Sequence, residues 1–257
     1  MKTVPIRYFG HTVSLPDLPR YRKFYRKLAA EDWEPRTFRT LRSNLDAGTV
    51  YIDIGGWIGV TALWASYLAK RVIIIEPDPE CRAILAELCP GYGNVALLEG
   101  AFSPTPSVII SAAEGFGSSE TTALALGPGD SLEVRGISVN EIMHHIAGEP
   151  IFIKIDIEGY ELRIADEIAR FADYHLKGIQ CAVHPALYER SLGTDRLTGR
   201  ARALLATARL ARMHRALSAR PSSTKYRAMF SYLVFGVLFR AAPKGTDLIF
   251  TPRAETS

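Results

Sequence analysis

Between residues 50 and 98 short apolar runs alternate with helical stretches, and no other feature of the sequence constrains the fold as tightly. Residues 50–54, 72–75 and 95–98 are too short for helices and too uniformly apolar for one-sided strands. They read as strands, those at 50–54 and 72–75 buried. Residues 58–69 and 80–89 between them carry helical spacing. Strand, helix, strand, helix, strand is the order of a parallel sheet joined by right-handed crossovers. The alternation resumes with a helix over 139–146, a strand over 151–157, a helix over 160–171 and a strand over 179–183. The expected fold is α/β: a seven-stranded, mostly parallel sheet with helices on both faces.

Three stretches stand outside this alternation. Residues 103–131 are rich in Ser, Thr, Gly and Pro, with strand candidates at 108–110 and 132–134. They predict a hairpin-like excursion with a mobile loop over 115–122. Upstream, Leu18, Tyr21, Tyr25 and Leu28 recur at helical steps, and a second helix is expected from Pro35 with Phe38, Leu41 and Leu45 on one face. Residues 1–46 therefore read as a basic helical segment ahead of a main domain over 47–257. Within that domain residues 190–225 form a basic helical insertion, most strongly helix-forming over 195–218. Two last strands, near 232–239 and 247–251, complete the sheet as an antiparallel hairpin.

Composition narrows the class. With 47% hydrophobic and 23% charged residues in 257, the chain is neither disordered nor collagenous. Cys81, Cys89 and Cys181 are too few and too scattered for a disulfide framework or a four-ligand zinc site. The net charge of +4 conceals a segregation: +6 over residues 1–45, −12 over 46–189 and +10 over 190–257. An acidic centre between basic flanks predicts a catalytic core whose ends meet an anionic partner. The longest apolar run, at 232–239, is far short of the ~20 residues of a membrane-spanning helix. With no secretory signal visible at the start, a cytoplasmic location is expected.

The most informative residues are VYIDIGGWIG, at 50–59. A buried strand ends in Asp53, and Gly55, Gly56 and Gly59 then lead into a helix. Such a turn lets a ligand approach the main chain at a helix amino terminus. It is not the dinucleotide fingerprint G-x-G-x-x-G, because Trp57 stands two residues after Gly55. Asp53 would also repel a pyrophosphate, whereas it suits a ligand that offers an amine or a ribose. The next strand ends in Glu76, 17 residues after Gly59. A carboxylate at that tip can accept both ribose hydroxyls of an adenosine. Each acid alone could be an ordinary strand-end or helix-capping residue. Together, with the glycine turn between them, they point to an adenosine-containing cofactor, and S-adenosylmethionine carries both an amine and a ribose.

VYIDIGGWIG, VIIIEPDP, NVALLEGAFS and IFIKIDIEGYE, in that order, resemble the FkbM family of S-adenosylmethionine-dependent methyltransferases. The resemblance spans about residues 32–187 and the closing strand DLIFTP. It departs at Gly-Gly-Trp, where many members have Gly-Ala-Asn, and at Ser138-Val139-Asn140-Glu141, where an Asp-rich segment is common. The resemblance implies a Rossmann-like class I methyltransferase fold with S-adenosyl-L-methionine as cofactor. Asp53, Gly55, Gly56, Trp57, Gly59 and Glu76 would hold it, and Gly100 and Ala101 would lie near the adenine.

Lys154, Asp156 and Glu158 alternate with Ile153, Ile155 and Ile157, so period two sends the three polar side chains to one face. A carboxylate at the end of a parallel strand faces the ligand crevice. Asp156 is therefore expected nearest the reacting methyl group. Glu158 binds an acceptor hydroxyl, acts as base or caps the next helix. Lys154 is expected to neutralise Asp53 or Asp156. His184, after the 179–183 strand, suits a general base or is an ordered loop residue before Pro185. No spacing argues for a metal. The expected reaction is O-methylation of a hydroxyl on a saccharide or glycoconjugate. A small-molecule or glycan acceptor, anionic in one version, would meet the basic flanks, which also suit contact with a membrane surface. No nucleic-acid partner is expected. The competing readings are a non-catalytic adenosine-nucleotide sensor on the same fold and, more weakly, an NAD-dependent oxidoreductase.

Overall fold

The computed structural model describes residues 1–124, 129–192, 199–218 and 246–250. The chain opens with a β-hairpin, β1 (Thr3–Tyr8) and β2 (His11–Pro16), paired from Thr3↔Pro16 to Tyr8↔His11. The reversal takes two residues, Phe9 at φ 43° and Gly10 at φ 88°. Positive φ at both positions matches the twist of a two-residue hairpin. This corrects the expectation of an all-helical N-terminal segment. Helices follow the hairpin, α1 (Arg22–Ala29) and α2 (Pro35–Asn44), with α2 starting at Pro35 as its sequence predicts.

The main sheet is built from β3 (Val50–Ile54), β4 (Arg71–Glu76), β5 (Val95–Glu99), β9 (Ile151–Ile155), β10 (Leu176–Val183) and β11 (Thr246–Phe250). Its order is β11-β10-β9-β3-β4-β5, parallel throughout except for β11 against β10. Six strands are therefore seen among the described residues where seven were expected. The candidate strand at 232–239 lies outside those residues. Between β5 and β9 the chain forms a smaller sheet of β6 (Ala101–Phe102), β7 (Ser107–Ala112) and β8 (Asp130–Ile137). The hairpin-like excursion is the antiparallel β7–β8 pair. The helices after β3 are α3 (Val60–Ala65), α4 (Pro79–Leu88), α5 (Val139–His144), α6 (Ala165–Ala169), α7 (Pro185–Ser191) and α8 (Gly199–Ser218).

Period two divides the core between the sheet's two faces. Ile52, Ile54, Ile73, Ile75, Ile153 and Ile155 pack on one side. Tyr51, Val72, Ile74 and Phe152 pack on the other, against Tyr8, Leu15, Leu28, Phe38 and Trp64. The N-terminal segment thus shares one hydrophobic core with the sheet. On the opposite face α8 seats Ala206, Leu210 and Met213, spaced for one side of a helix. Arg209 and Arg212 of α8 reach Asp166 at 3.6 and 2.6 Å, so part of the basic insertion is matched by an acid of the core domain. The expected helix over 160–171 is broken into α6 and flanking 3-10 turns at Tyr160–Leu162 and Arg170–Asp173. Chain order reverses between β4 and β9 on either side of β3, and in open α/β sheets ligands bind at such a switch point.

Candidate active site

The turn after β3 is stitched to both neighbouring strands. Gly55 and Gly56 donate to the Ile75 carbonyl of β4, and Asp156 N–H donates to Ile54 O. At Gly55, φ is 84° and an added Cβ would stand 2.0 Å from the Asp156 carbonyl oxygen, so only glycine fits. Trp57 follows in the left-handed region at φ 48°, as does Glu158 beyond β9 at φ 52°. Non-glycine residues held there cluster at ligand-binding sites.

Glu76 holds the turn in place. Its Oε2 accepts the Trp57 N–H at 2.7 Å and its Oε1 the Asp78 N–H at 2.8 Å. Burial pushes this carboxyl up to about 8, against the pull of the two backbone donors. Asp53 lies deeper. Its Oδ2 accepts from the Thr61 hydroxyl at 2.5 Å, while Oδ1 is buried without a hydrogen-bond partner. Burial raises the Asp53 carboxyl, opposed by Lys154 and by the Thr61 hydrogen bond. Lys154 pairs with Asp156 Oδ2 at 3.1 Å from a buried position beside Asp53 in the β3–β9 register. Burial lowers its ammonium pKa, but Asp156 and Asp53 outweigh that and hold it protonated.

Two clefts open at these strand tips. The first, about 530 Å³, runs past Glu76, Pro77, Ala101, Phe102 and Tyr160. The second, about 650 Å³, is walled by Phe24, Trp33, Glu34, Lys154 and Glu158. Gly55, Trp57, Ser119 and Asp156 line both. Of the cofactor candidates, Gly55, Trp57, Glu76 and Ala101 line the first cleft and Gly56 the second. Asp53, Gly59 and Gly100 line neither. Gly59 precedes α3, and Gly100 passes so close to Arg135 that a Cβ would be 2.6 Å from its carbonyl oxygen.

Residues 115–122, expected as a mobile loop, line the first cleft through Ser118, Ser119 and Thr121 and are held by hydrogen bonds that strap them to the rest of the site. Asp78 Oδ1 caps α4 through Glu80 N–H and Cys81 N–H, while its Oδ2 accepts Gly117 N–H and the Thr121 hydroxyl. Tyr21 OH and the Trp57 indole N–H both donate to Gly117 O, and Thr122 donates to Glu158 O. Sequence reasoning missed Asp78 in this role because half of its work, helix capping, is local and the other half is not.

At the tips of β9 and β10, His184 stands among three carboxylates. Its Nε2 lies 4.0 Å from Asp156 Oδ1 and 3.7 Å from Glu158 Oε2, and its Nδ1 lies 3.5 Å from Glu161 Oε1. Burial alone would lower the imidazole, but Glu161, Glu158 and Asp156 prevail and carry it up to about 9. In the free protein it is therefore a cation at neutral pH. A base at neutral pH needs the uncharged imidazole, so these carboxylates work against the general-base role expected of an unperturbed histidine. Burial pushes Glu158 up to about 7, opposed by His184. Glu161, fully buried in the turn after β9, was overlooked. It follows the I-K-x-D-x-E-G motif by two residues and enters the cluster because Glu158 and Gly159 reverse the chain in the left-handed region.

Solved structures with a similar course of chain include several methyltransferases. A dimethyladenosine transferase from Plasmodium falciparum aligns at a TM-score of 0.45 and 12% identity, covering 86% of this chain and 62% of that one. Methyltransferase FkbM from Methylobacillus flagellatus aligns at 0.43 and 17%, covering 80% and 44%. An rRNA methylase from Streptococcus thermophilus aligns at 0.41 and 9%, covering 83% and 92%. The chain thus spans less than two thirds of the Plasmodium and Methylobacillus proteins. Among curated proteins, none matches the sequence. The model of the methyltransferase FkbM domain matches residues 53–207, more than half of the chain and nearly all of the site just described, and the chain belongs to that methyltransferase family.

Proposed function

We propose that this chain transfers a methyl group from S-adenosylmethionine to a hydroxyl of a saccharide or glycoconjugate. The observation that carries the reading is the pair of clefts meeting at Gly55, Trp57 and Asp156. The donor set of the first fits the cofactor. The Glu76 carboxylate faces it at a strand tip, where it can accept ribose hydroxyls, and Ala101 and Phe102 offer an apolar wall for the adenine. The second fits a sugar, whose flat C–H face matches Phe24, Trp33 and Trp57 and whose hydroxyl edge matches Glu34 and Glu158.

The cofactor supplies a methyl group made electrophilic by the sulfonium it is bound to. The chain's own contribution is alignment and removal of the acceptor's proton. Trp57 and Asp156 form the shared rim where the two ligands would meet. Glu158, in the second cleft, is placed to take up the hydroxyl proton. Lys154 holds Asp156 from below through its 3.1 Å contact.

Calorimetry with S-adenosylmethionine, S-adenosylhomocysteine and NAD tests the cofactor, and the expected result is binding of both sulfur ligands and not of NAD. NAD binding without either would point to an oxidoreductase and end this reading. Binding of the sulfur ligands with no transfer of labelled methyl to any member of a glycan and glycolipid panel would end the saccharide assignment.

A further inference from the structure

The cluster at the tips of β9 and β10 contains a chemistry that the methyl-transfer reading leaves unused. Asp156 Oδ1, Glu161 Oε2 and His184 Nδ1 are each buried and each without a hydrogen-bond partner. One atom from each residue lies within 4.8 Å of the other two. The partners of the remaining atoms fix this arrangement. Lys154 takes Asp156 Oδ2 at 3.1 Å, and Ile157 N–H takes Glu161 Oε1 at 2.9 Å. Each carboxylate thus has one oxygen engaged by the protein and the other without a hydrogen-bond partner, while Glu161 as a whole is fully buried.

The distances decide what the cluster can hold. A charge-assisted hydrogen bond spans about 2.7–2.9 Å, and the contacts of His184 with the three acids are 3.5, 3.7 and 4.0 Å. The imidazole is seated on none of them. Two ligands each ~2.1 Å from one ion stand up to ~4 Å apart, and one donor atom from each of Asp156, Glu161 and His184 lies within 4.8 Å of the other two, close enough for small side-chain shifts to bring all three onto one ion. We infer that Asp156, Glu161 and His184 form a binding site for one divalent cation. Two oxygens and one imidazole nitrogen suit first-row ions such as Mn²⁺ and Zn²⁺ better than an all-oxygen ion such as Mg²⁺. Held partners for the carboxylates are the outer-shell contacts that such sites need. Asp156 also lines the second cleft, so the cation would face the acceptor there. Resting on the methyltransferase reading, its role is to bind acceptor oxygens and ease loss of the hydroxyl proton.

The test is titration of the chelator-stripped full chain with Mn²⁺, Zn²⁺ and Mg²⁺ by calorimetry, with pulsed electron paramagnetic resonance of the Mn²⁺ form. One Mn²⁺ per chain is expected, with a ¹⁴N coupling from a single imidazole. Glu161→Gln and His184→Ala should each weaken Mn²⁺ binding at least about tenfold, while S-adenosylhomocysteine binding, read in the same instrument, shows that each variant is folded. The site is overturned if none of the three ions saturates the wild-type chain, if bound Mn²⁺ shows no nitrogen coupling, or if both folded variants bind as wild type. S-adenosylhomocysteine binding without metal binding would overturn the cation site alone. Metal binding without either sulfur ligand would overturn the methyltransferase reading alone.

Discussion

Glu76 is asked to do two things with one carboxylate. In the free protein it accepts the Trp57 and Asp78 N–H groups, yet burial pushes it up to about 8 from an ordinary value of 4.5. A folded-state value raised above the unfolded one gives stability that is present below about pH 4.5 and is lost as pH rises through about 8. Ribose hydroxyls donating to the ionised form would oppose that loss. S-Adenosylhomocysteine should therefore bind more tightly and raise the melting temperature more at pH 8.5 than at pH 6.5, with a proton released on binding at the lower pH. Glu76→Gln should flatten this dependence and weaken binding at least about tenfold, a loss of ~1.4 kcal/mol. Calorimetry in buffers of different ionisation heat reads both effects. Asp53 is the contrasting residue. Sequence reasoning paired it with Glu76 as a ligand contact, but the structure places it beneath both clefts, where it faces Thr61 and Lys154.

Among the elements, the strap over residues 115–122 depends on one side chain. Asp78 caps α4 with one oxygen and holds Gly117 and Thr121 with the other. Asn in its place can keep the cap, since its amide oxygen still accepts, but its NH₂ cannot accept from Gly117. Asp78→Asn should therefore speed hydrogen exchange at the Gly117 amide more than about tenfold, which is ~1.4 kcal/mol of local opening. Exchange in α4 should change little. Equal acceleration in both would show that the cap, not the strap, had failed. The central strands were legible because burial on both faces forces continuous apolar runs, and the Lys154–Asp156 pair was legible because two-residue spacing is all it requires. The β1–β2 hairpin was not. Its turn is Phe9-Gly10 rather than Asn-Gly or Asp-Gly, so the strongest short-range hairpin signal is absent. Glu161 was missed for a similar reason: its place follows from a left-handed reversal at Glu158, a residue type that seldom adopts one.

For the whole molecule, the boundary drawn near residue 46 from charge and helical spacing is not a boundary in the core. Tyr8, Leu15, Leu28, Phe38 and Leu41 pack with Leu63, Trp64 and Phe152 in one continuous cluster. The same segment contributes Phe24 and Trp33 to the second cleft and Tyr21 to the strap. Removing residues 1–45 should therefore unfold the remainder rather than trim it. The shortened chain is expected to lose near-ultraviolet circular dichroism and to bind an apolar dye, whereas the full chain should melt in a single cooperative transition. The charge segregation, visible in the sequence without any structure, takes on a different meaning here. Part of the central acidity is buried or paired around the strand tips, in Asp53, Glu76, Asp78, Asp156 and Glu161, and some of the C-terminal basicity is taken up by Asp166.

Trp57 alone among the three tryptophans lines both clefts. Trp64 is sealed in the core and Trp33 borders only the second cleft. The Trp57 indole N–H is tied to Gly117 O and its ring meets Tyr21 and Phe24 edge-on. The protein thus carries a built-in optical gauge: a ligand entering the first cleft changes the polarity around one indole, and a ligand entering the second changes it around two. The order in which the two clefts fill can be followed from the emission of the native chain, with no added label.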